Sequence, residues 1–346
     1  MTQHQVDLLT RDGQSVRFDC AEDETLLDGA ARASIFLPSV CRNGSCGACR
    51  VTRTGGEAVL DSCSDEALPT AARARGEVLL CRTRPLGDLA LAAPFDHAAI
   101  QFEPVPVRNA TVLACEDVGG ATRRLLLGLE DDPAFGRAAT FAPGQFMELG
   151  VPGTSLVRAY SLANTTNWDG HLEFLIRLQP GGRFSSWLRD AARPGERLLV
   201  RGPLGAFTLR EGSLLPRFMV AGGTGLAPML SMLRYLAECG DMTPTHLFFG
   251  VNRFEDLFGQ DLLAELNQSL PALTVTPCVW QADPCWNGFV GTPVDALRGV
   301  LAHVPGGAEI YLCGPPGLVR AAEDAATQAG VPAEHIFSER FTPAVT

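Results

Sequence analysis

The sequence predicts a multidomain α+β and α/β protein of three successive units, and three observations carry that prediction. Near the start, short runs of alternating apolar and polar residues surround a single amphipathic helical run. The middle of the chain holds six short strand-like runs parted by Gly and Pro turns. The last part alternates strand and helix periodicities, the order of a parallel sheet covered on both faces.

In the first unit, residues 1–96, positions 6–9 and 15–18 alternate as a hairpin across the Asp12-Gly13 turn. Asp23, Glu24 and Thr25 supply helix-start residues ahead of an amphipathic run at 26–33. A turn-rich stretch with four cysteines follows, and Pro94, Pro104 and Pro106 bracket a linker expected to be mobile. The second unit, residues 104–210, places strands at 110–114, 124–129, 145–150, 157–162, 172–178 and 197–201, with one helix around 185–191. That spacing predicts a small antiparallel barrel. The third unit, residues 214–346, places strands at 218–221, 246–251, 273–279 and 309–313 among helices at 227–238, 262–270, 293–303 and 318–329.

Composition narrows the function. A chain of 346 residues with 46% hydrophobic content can bury several cores. No stretch reaches the roughly 20 apolar residues of a membrane span, and the opening Met1-Thr2-Gln3-His4-Gln5 lacks a secretory pattern, so a cytoplasmic location without membrane attachment is expected. A net charge of -11 argues against nucleic-acid partners, which require a basic surface. All 28 basic residues are Arg, which excludes Schiff-base chemistry through Lys. The six His form no metal or nucleophile pattern. Eleven cysteines in such a chain point to metal ligation more than to disulfides.

Cys41, Cys46 and Cys49, with Cys81 further on, match the C-x4-C-x2-C…C spacing of plant-type 2Fe-2S ligation. Two irons and two sulfides need four thiolates aimed inward from a wrapping loop, and Gly44, Gly47 and Ala48 keep bulk away where the backbone must pass close. Zinc sites usually present two C-x2-C pairs, whereas only one is present. Cys63, Cys20, Cys115, Cys239, Cys278 and Cys285 read as structural.

Two further patterns suit nucleotides. Arg158-Ala-Tyr160-Ser161 ends a strand of the barrel segment: an Arg can neutralise a pyrophosphate, a Tyr can lie on a flavin ring, and a Ser can reach its edge. Alone this is an ordinary strand, but Gly181-Gly182-Arg183-Phe184-Ser185-Ser186 follows as a glycine turn opening a helix, a phosphate-binding arrangement. Downstream, Gly222, Gly223, Thr224 and Gly225 lead from a strand into a helix beginning near Pro228, without forming a G-x-G-x-x-G fingerprint. Cys313, Gly314 and Pro315 make a second turn of the same kind, and both belong at strand carboxyl ends, where such sheets bind ligands.

Taken in order, these motifs resemble the reductase components of bacterial multicomponent oxygenases, along essentially the whole chain. The wording is similar to soluble methane monooxygenase reductases at Val78-Leu-Leu-Cys81-Arg-Thr83, Phe218 to Pro228, Ile310 to Gly317 and Ser338-Glu339-Arg340-Phe341, and to benzoate and terephthalate dioxygenase reductases through the same blocks. The resemblance implies a β-grasp 2Fe-2S ferredoxin domain, an FAD-binding β-barrel and an NAD-binding domain. It implies cluster ligation by Cys41, Cys46, Cys49 and Cys81, and FAD held by Arg158, Tyr160, Ser161, Gly182, Ser185 and Ser186. Gly222, Gly223, Thr224, Gly225 and Pro228 would meet the dinucleotide. Cys313, Ser161 and Glu339 would carry the catalytic positions where nicotinamide meets flavin, with Gly314, Pro315 and Phe341 around them. Arg340 stands where many relatives are expected to have Lys.

Arg253 could receive a 2′-phosphate, but Glu255 and Asp256 oppose it, favouring NADH over NADPH. The implied activity passes electron pairs from NADH to FAD and single electrons to the cluster, with no acid–base residue required at the hydride step. The expected acceptor is the hydroxylase component of a diiron monooxygenase; a Rieske-type ring hydroxylase is the alternative, and the chain is expected to be a monomer. A reductase of another soluble carrier or quinone, and a non-enzymatic redox sensor, are the rival readings. The missing anchor disfavours the former, and two phosphate-binding turns disfavour the latter.

Overall fold

The computed structural model describes residues 2–210, 212–301 and 307–342. The chain forms two compact units, one built from the residues up to Pro106 and one from Val107–Phe341.

In the first unit, strands β1 (Gln3–Leu9) and β2 (Ser15–Ala21) form the expected hairpin, with Val6 opposite Phe18 and Gly13 taking the positive φ of 80° that the turn demands. The helix α1 (Leu26–Arg32) starts where the sequence indicates: the Thr25 hydroxyl accepts the Asp28 amide at 3.2 Å. It buries Leu26, Leu27 and Ala30, each Leu contributing about 1.5–3 kcal/mol. Gly29 lets the helix lie against β2, since a Cβ there would come within 2.8 Å of Cys20 Sγ. After the cysteine loop come β3 (Arg50–Gly55), β4 (Ala58–Leu60), α2 (Thr70–Ala74), β5 (Glu77–Leu79), β6 (Thr83–Pro85) and β7 (Leu89–Ala92). The sheet runs β2-β1-β7-β3-β5; β7 pairs parallel to β1 and the other neighbours are antiparallel. Part of the stretch expected to link the units instead packs here: Ile100 is buried in this core, and Phe36 and Gln101 exchange backbone hydrogen bonds. Burial of one Ile and two backbone bonds outweighs the prolines' linker character.

The second unit begins with β8 (Val107–Asp117), β9 (Thr122–Leu129), β10 (Phe146–Gly150), β11 (Val157–Ser161), β12 (His171–Arg177), α3 (Arg183–Asp190) and β13 (Arg197–Leu204). The strands follow the order β11-β10-β13-β8-β9-β12, every pair antiparallel, and a bridge between Leu162 and Phe174 brings the two edges together as a barrel. Then follow β14 (Arg217–Gly222), α4 (Leu226–Glu238), β15 (Thr245–Arg253), α5 (Gln260–Ser269), β16 (Leu273–Gln281), β17 (Phe289–Val290), α6 (Pro293–Leu301), β18 (Glu309–Gly314), α7 (Pro316–Gln328) and β19 (Ile336–Arg340). All their pairings are parallel, in the order β17-β16-β15-β14-β18-β19. β14 and β18 are buried throughout because helices cover both faces. The chain crosses from one side of β14 to the other between β15 and β18, so the switch point lies at the carboxyl ends of β14 and β18. His303, the expected end of the α6 helix, lies outside the described residues. Among the described residues no helix is long and apolar enough to cross a membrane.

Candidate active site

In the first unit the cysteine loop has no regular structure, and its glycines are placed by steric need. Gly44 and Gly47 take φ of 81° and 77°, conformations costly for residues with a Cβ. Their neighbours also leave no room: a Cβ on Gly44 would lie 2.8 Å from Arg82 Cγ, and one on Gly47 2.8 Å from the Ala67 carbonyl oxygen. At Gly44 the loop is thus pressed onto the segment that carries Cys81, which sits in a single 3-10 turn after β5, and at Gly47 onto Ala67. Cys49 Sγ donates to Cys81 Sγ at 3.3 Å. Donation from the thiols of Cys46 and Cys81 pulls the Cys41 pKa down; the same contacts, with burial, push those of Cys46 and Cys81 up. The Ser45 amide reaches Cys41 Sγ at 3.3 Å and the Ala48 amide Cys46 Sγ at 3.5 Å. A buried sulfur pair at Cys49 and Cys81, with backbone N–H donors on the sulfurs of Cys41 and Cys46, is the kind of environment an iron–sulfur cluster requires, so the residues fit that group. Cys63 packs beside Gly44 of this loop, half-buried, with Arg73 Nη2 3.6 Å from its sulfur. None of the eleven cysteines is paired in a disulfide.

In the second unit, β11 carries Arg158, Tyr160 and Ser161. The Tyr160 ring lies 5.2 Å from that of Phe184 on α3, so strand and helix share an aromatic surface. Gly182 caps α3 and leaves its first amides open to an anion. Ser185 is buried, and its Oγ accepts the Gln179 amide at 2.8 Å: it shapes the turn, a role the sequence pattern does not reveal. Ser186 is half-buried, with Arg189 Nη2 at 3.5 Å from its hydroxyl.

At the switch point the two glycine turns interlock. A Cβ on Gly225 would stand 2.3 Å from the Cys313 carbonyl oxygen, and one on Gly314, at φ 151°, 3.1 Å from the Gly222 nitrogen. Close backbone packing therefore explains Gly225 as much as phosphate access does. Gly223 takes a positive φ of 54° with open space beside it, the feature expected where backbone meets a ligand. Pro228 sits in the first turn of α4, where its missing N–H has no intrahelical partner to lose. Pro315 caps α7, and the Phe341 amide donates to the Gly314 carbonyl at 2.8 Å.

Parallel pairing sets Glu339 of β19 beside Cys313 of β18. Ser161 Oγ of the barrel donates to Glu339 Oε2 at 3.0 Å. All three residues are buried. Burial raises the Glu339 pKa to about 7, partly offset by the Ser161 hydrogen bond, and burial with Glu339 nearby pushes the Cys313 thiol well up. The three candidate catalytic residues thus come together from β11, β18 and β19. Gly205 is an addition that sequence reading missed: its Cβ position lies 4.0 Å from Glu339 Oε1, and Gly202-Pro203-Leu204-Gly205 was the available signal. Away from this cluster, Arg253 lies with its Nη1 3.4 Å from Glu255.

Comparison with known proteins agrees with this arrangement. A model for 2Fe-2S iron-sulfur cluster binding domains matches residues 9–86. Models for oxidoreductase FAD-binding and NAD-binding domains match residues 109–209 and 219–324. The chain is 33% identical over 332 residues to the reductase component of propane 2-monooxygenase from Rhodococcus jostii (strain RHA1), covering 94% of this chain and 89% of that one. Methane monooxygenase component C from Methylosinus trichosporium is 38% identical over 299 residues, 86% of this chain and 87% of its own. The crystal structure of an Amycolatopsis cytochrome P450 reductase matches with a TM-score of 0.76 at 33% identity, covering 98% of this chain and 100% of that one. The fold and site define an oxidoreductase built from cluster, flavin and nicotinamide domains. The chain belongs to the family of reductase components of oxygenase systems, which carry electrons through FAD and a 2Fe-2S cluster.

Proposed function

We propose that this reductase takes its electrons from NADH and delivers them to the hydroxylase component of a diiron monooxygenase, with Cys41, Cys46, Cys49 and Cys81 holding the cluster. The observation that carries the reading is the buried meeting of Ser161, Cys313 and Glu339 at the switch point, between a barrel with flavin-type residues and a sheet with two phosphate-type turns. When bound, FAD accepts hydride from the nicotinamide and releases electrons singly, while the cluster accepts them one at a time.

The chain's own part is binding and orientation. Arg158 and the free amides at the start of α3 offer positive charge to the FAD pyrophosphate, and Tyr160 offers its ring face. The backbone at Gly222, Gly223, Thr224 and Gly225 meets the nicotinamide dinucleotide, with Pro228 starting the helix behind it. Cys313, Gly314, Pro315 and Phe341 bound the place where the two rings meet. Ser161 donates to Glu339 Oε2, and Glu339 at a pKa near 7 can hold a proton there without carrying fixed charge into a dry site. Gly182, Ser185 and Ser186 shape the turn beneath the FAD phosphates.

NADH is favoured because Arg253 is engaged by Glu255 and its backbone by Asp256, so two carboxylates face any 2′-phosphate. The monooxygenase reading is supported by relatives named as propane and methane monooxygenase components. Monomeric behaviour in the cytoplasm belongs to the same reading and is checked by light scattering and fractionation. Anaerobic titration with NADH, followed by visible absorbance and low-temperature EPR, tests the core of it. Flavin bleaching together with a rhombic signal of average g below 2 is expected; bleaching without that signal sinks the cluster assignment, and preference for NADPH sinks the cofactor assignment.

A further inference from the structure

The helix α4 begins at the Gly223–Gly225 turn, and Ser231, Arg234 and Glu238 stand on one of its faces at i, i+3 and i+7. That face is tied to the stretch just beyond the flavin strand. Ser231 Oγ donates to the Asn164 carbonyl at 2.7 Å, Arg234 Nη1 to the Ala163 carbonyl at 2.7 Å, and Thr165 Oγ1 to Glu238 Oε1 at 2.6 Å. Ala163 follows Ser161 by two residues. The same Arg234 Nη1 also reaches Glu173 Oε2 at 3.1 Å. Glu173, on β12, is only 5% exposed. It is held a second time by Arg124 of β9, Nε to Oε1 at 3.0 Å, and its backbone pairs with Ala163 and with the Asn164 side chain. None of these residues belongs to the cofactor motifs.

Apolar packing already joins the two halves, since Ala163 and Leu175 of the barrel share a core with Leu230 and Leu233 of α4. Such packing is non-directional and permits sliding. A buried carboxylate between two guanidinium groups is a poor source of stability compared with apolar residues of the same volume, but its hydrogen bonds accept one geometry. Arg234 lies nine residues beyond Gly225, roughly 14 Å along a stiff helix, so a shift at the contact is carried to the turn.

Resting on the functional reading above, we infer that Glu173, Ser231 and Arg234 form a clamp that fixes the nicotinamide-side turn relative to the flavin-side strand. Arg234 is then a positioning residue for hydride transfer. Reacting atoms must lie about 3–3.5 Å apart, and a 1 Å misplacement can cost on the order of a hundredfold in rate.

The test uses the full-length, cofactor-loaded protein with Arg234→Met, Arg234→Lys and Glu173→Gln. Arg234→Met leaves Glu173 paired with Arg124 and keeps an apolar stem in place. Two quantities are read: hydrogen–deuterium exchange at the Ala163 and Glu173 amides, and the single-turnover rate of flavin bleaching at saturating NADH. Arg234→Met is expected to keep its flavin and its NADH affinity, to exchange faster at these amides, and to bleach roughly ten- to a hundredfold more slowly. Arg234→Lys should recover part of the rate. A flavin-loaded Arg234→Met that bleaches at the wild-type rate overturns the clamp, as does slowing that weakened NADH binding explains in full. If Arg234→Met does not fold, Glu173→Gln decides by the same two readings. Failure of NADH to bleach the wild type overturns the functional reading itself, a result distinct from either.

Discussion

At the scale of single residues, Glu339 combines an acidic side chain with burial and a hydrogen bond from Ser161. Its pKa is raised from near 4.5 to about 7, so the folded chain binds a proton that the unfolded chain releases between those values. That contribution to stability is therefore full below about pH 4.5 and is lost as pH rises to about 7. Urea unfolding of the wild type should show this fall, on the order of 3 kcal/mol across the window, and Glu339→Gln should flatten it. A wild-type profile identical to that of the variant would rule out the raised pKa. Glu339 was legible in the sequence only as part of a Ser-Glu-Arg-Phe ending. Its burial depends on β19 pairing with β18 and on Ser161 arriving from 178 positions earlier, neither of which a local pattern encodes. Gly225 was legible as a phosphate-turn residue, yet its Cβ position is filled by the Cys313 carbonyl. Gly225→Ala should therefore lower the melting temperature even in the absence of nucleotide, where a purely ligand-contacting glycine would leave it unchanged.

At the scale of elements, local rules served wherever local interactions dominate. The β1–β2 hairpin and α1 were readable because an Asp-Gly turn and a Thr cap act within four residues. Thr25→Ala should cost about 1 kcal/mol in unfolding free energy by removing the acceptor for the Asp28 amide. A loss several times larger would mean that Thr25 has a role beyond the cap. The six barrel strands were also legible, since alternation with period two is strong where one face is buried. Strand β17 has two residues, too short for periodicity to register, and β19 shows no alternation of buried and exposed residues; both exist because a neighbouring strand offers its edge. The segment after Pro94 departs from a linker for a related reason. Proline content signals a linker, but the burial of Ile100 and the bridge from Phe36 to Gln101 are tertiary facts.

At the scale of the whole molecule, the division of labour follows the division into compact units. The first unit holds Cys41, Cys46, Cys49 and Cys81; the second holds the barrel, the parallel sheet and the Ser161–Glu339 contact. Hydride chemistry and one-electron chemistry are thus separable by mutation. Replacing Cys81 with Ser removes a thiolate from the convergent sulfur set, and a hydroxyl is a poor substitute ligand for iron. The Cys81→Ser protein should still bleach its flavin with NADH and still reduce ferricyanide directly from the flavin. It should lose the low-temperature EPR signal and the ability to drive the oxygenase component. Cys63→Ser is the matched control: this thiol lies close in sequence but contacts Arg73 rather than the four sulfurs, so the EPR signal should persist. If Cys63→Ser abolished the signal while Cys81→Ser kept it, the ligand set would have to be redrawn around Cys63. If Cys81→Ser stopped flavin bleaching as well, the two units would not be functionally separable, and the division of the chain into an electron-loading unit and an electron-delivering unit would fail.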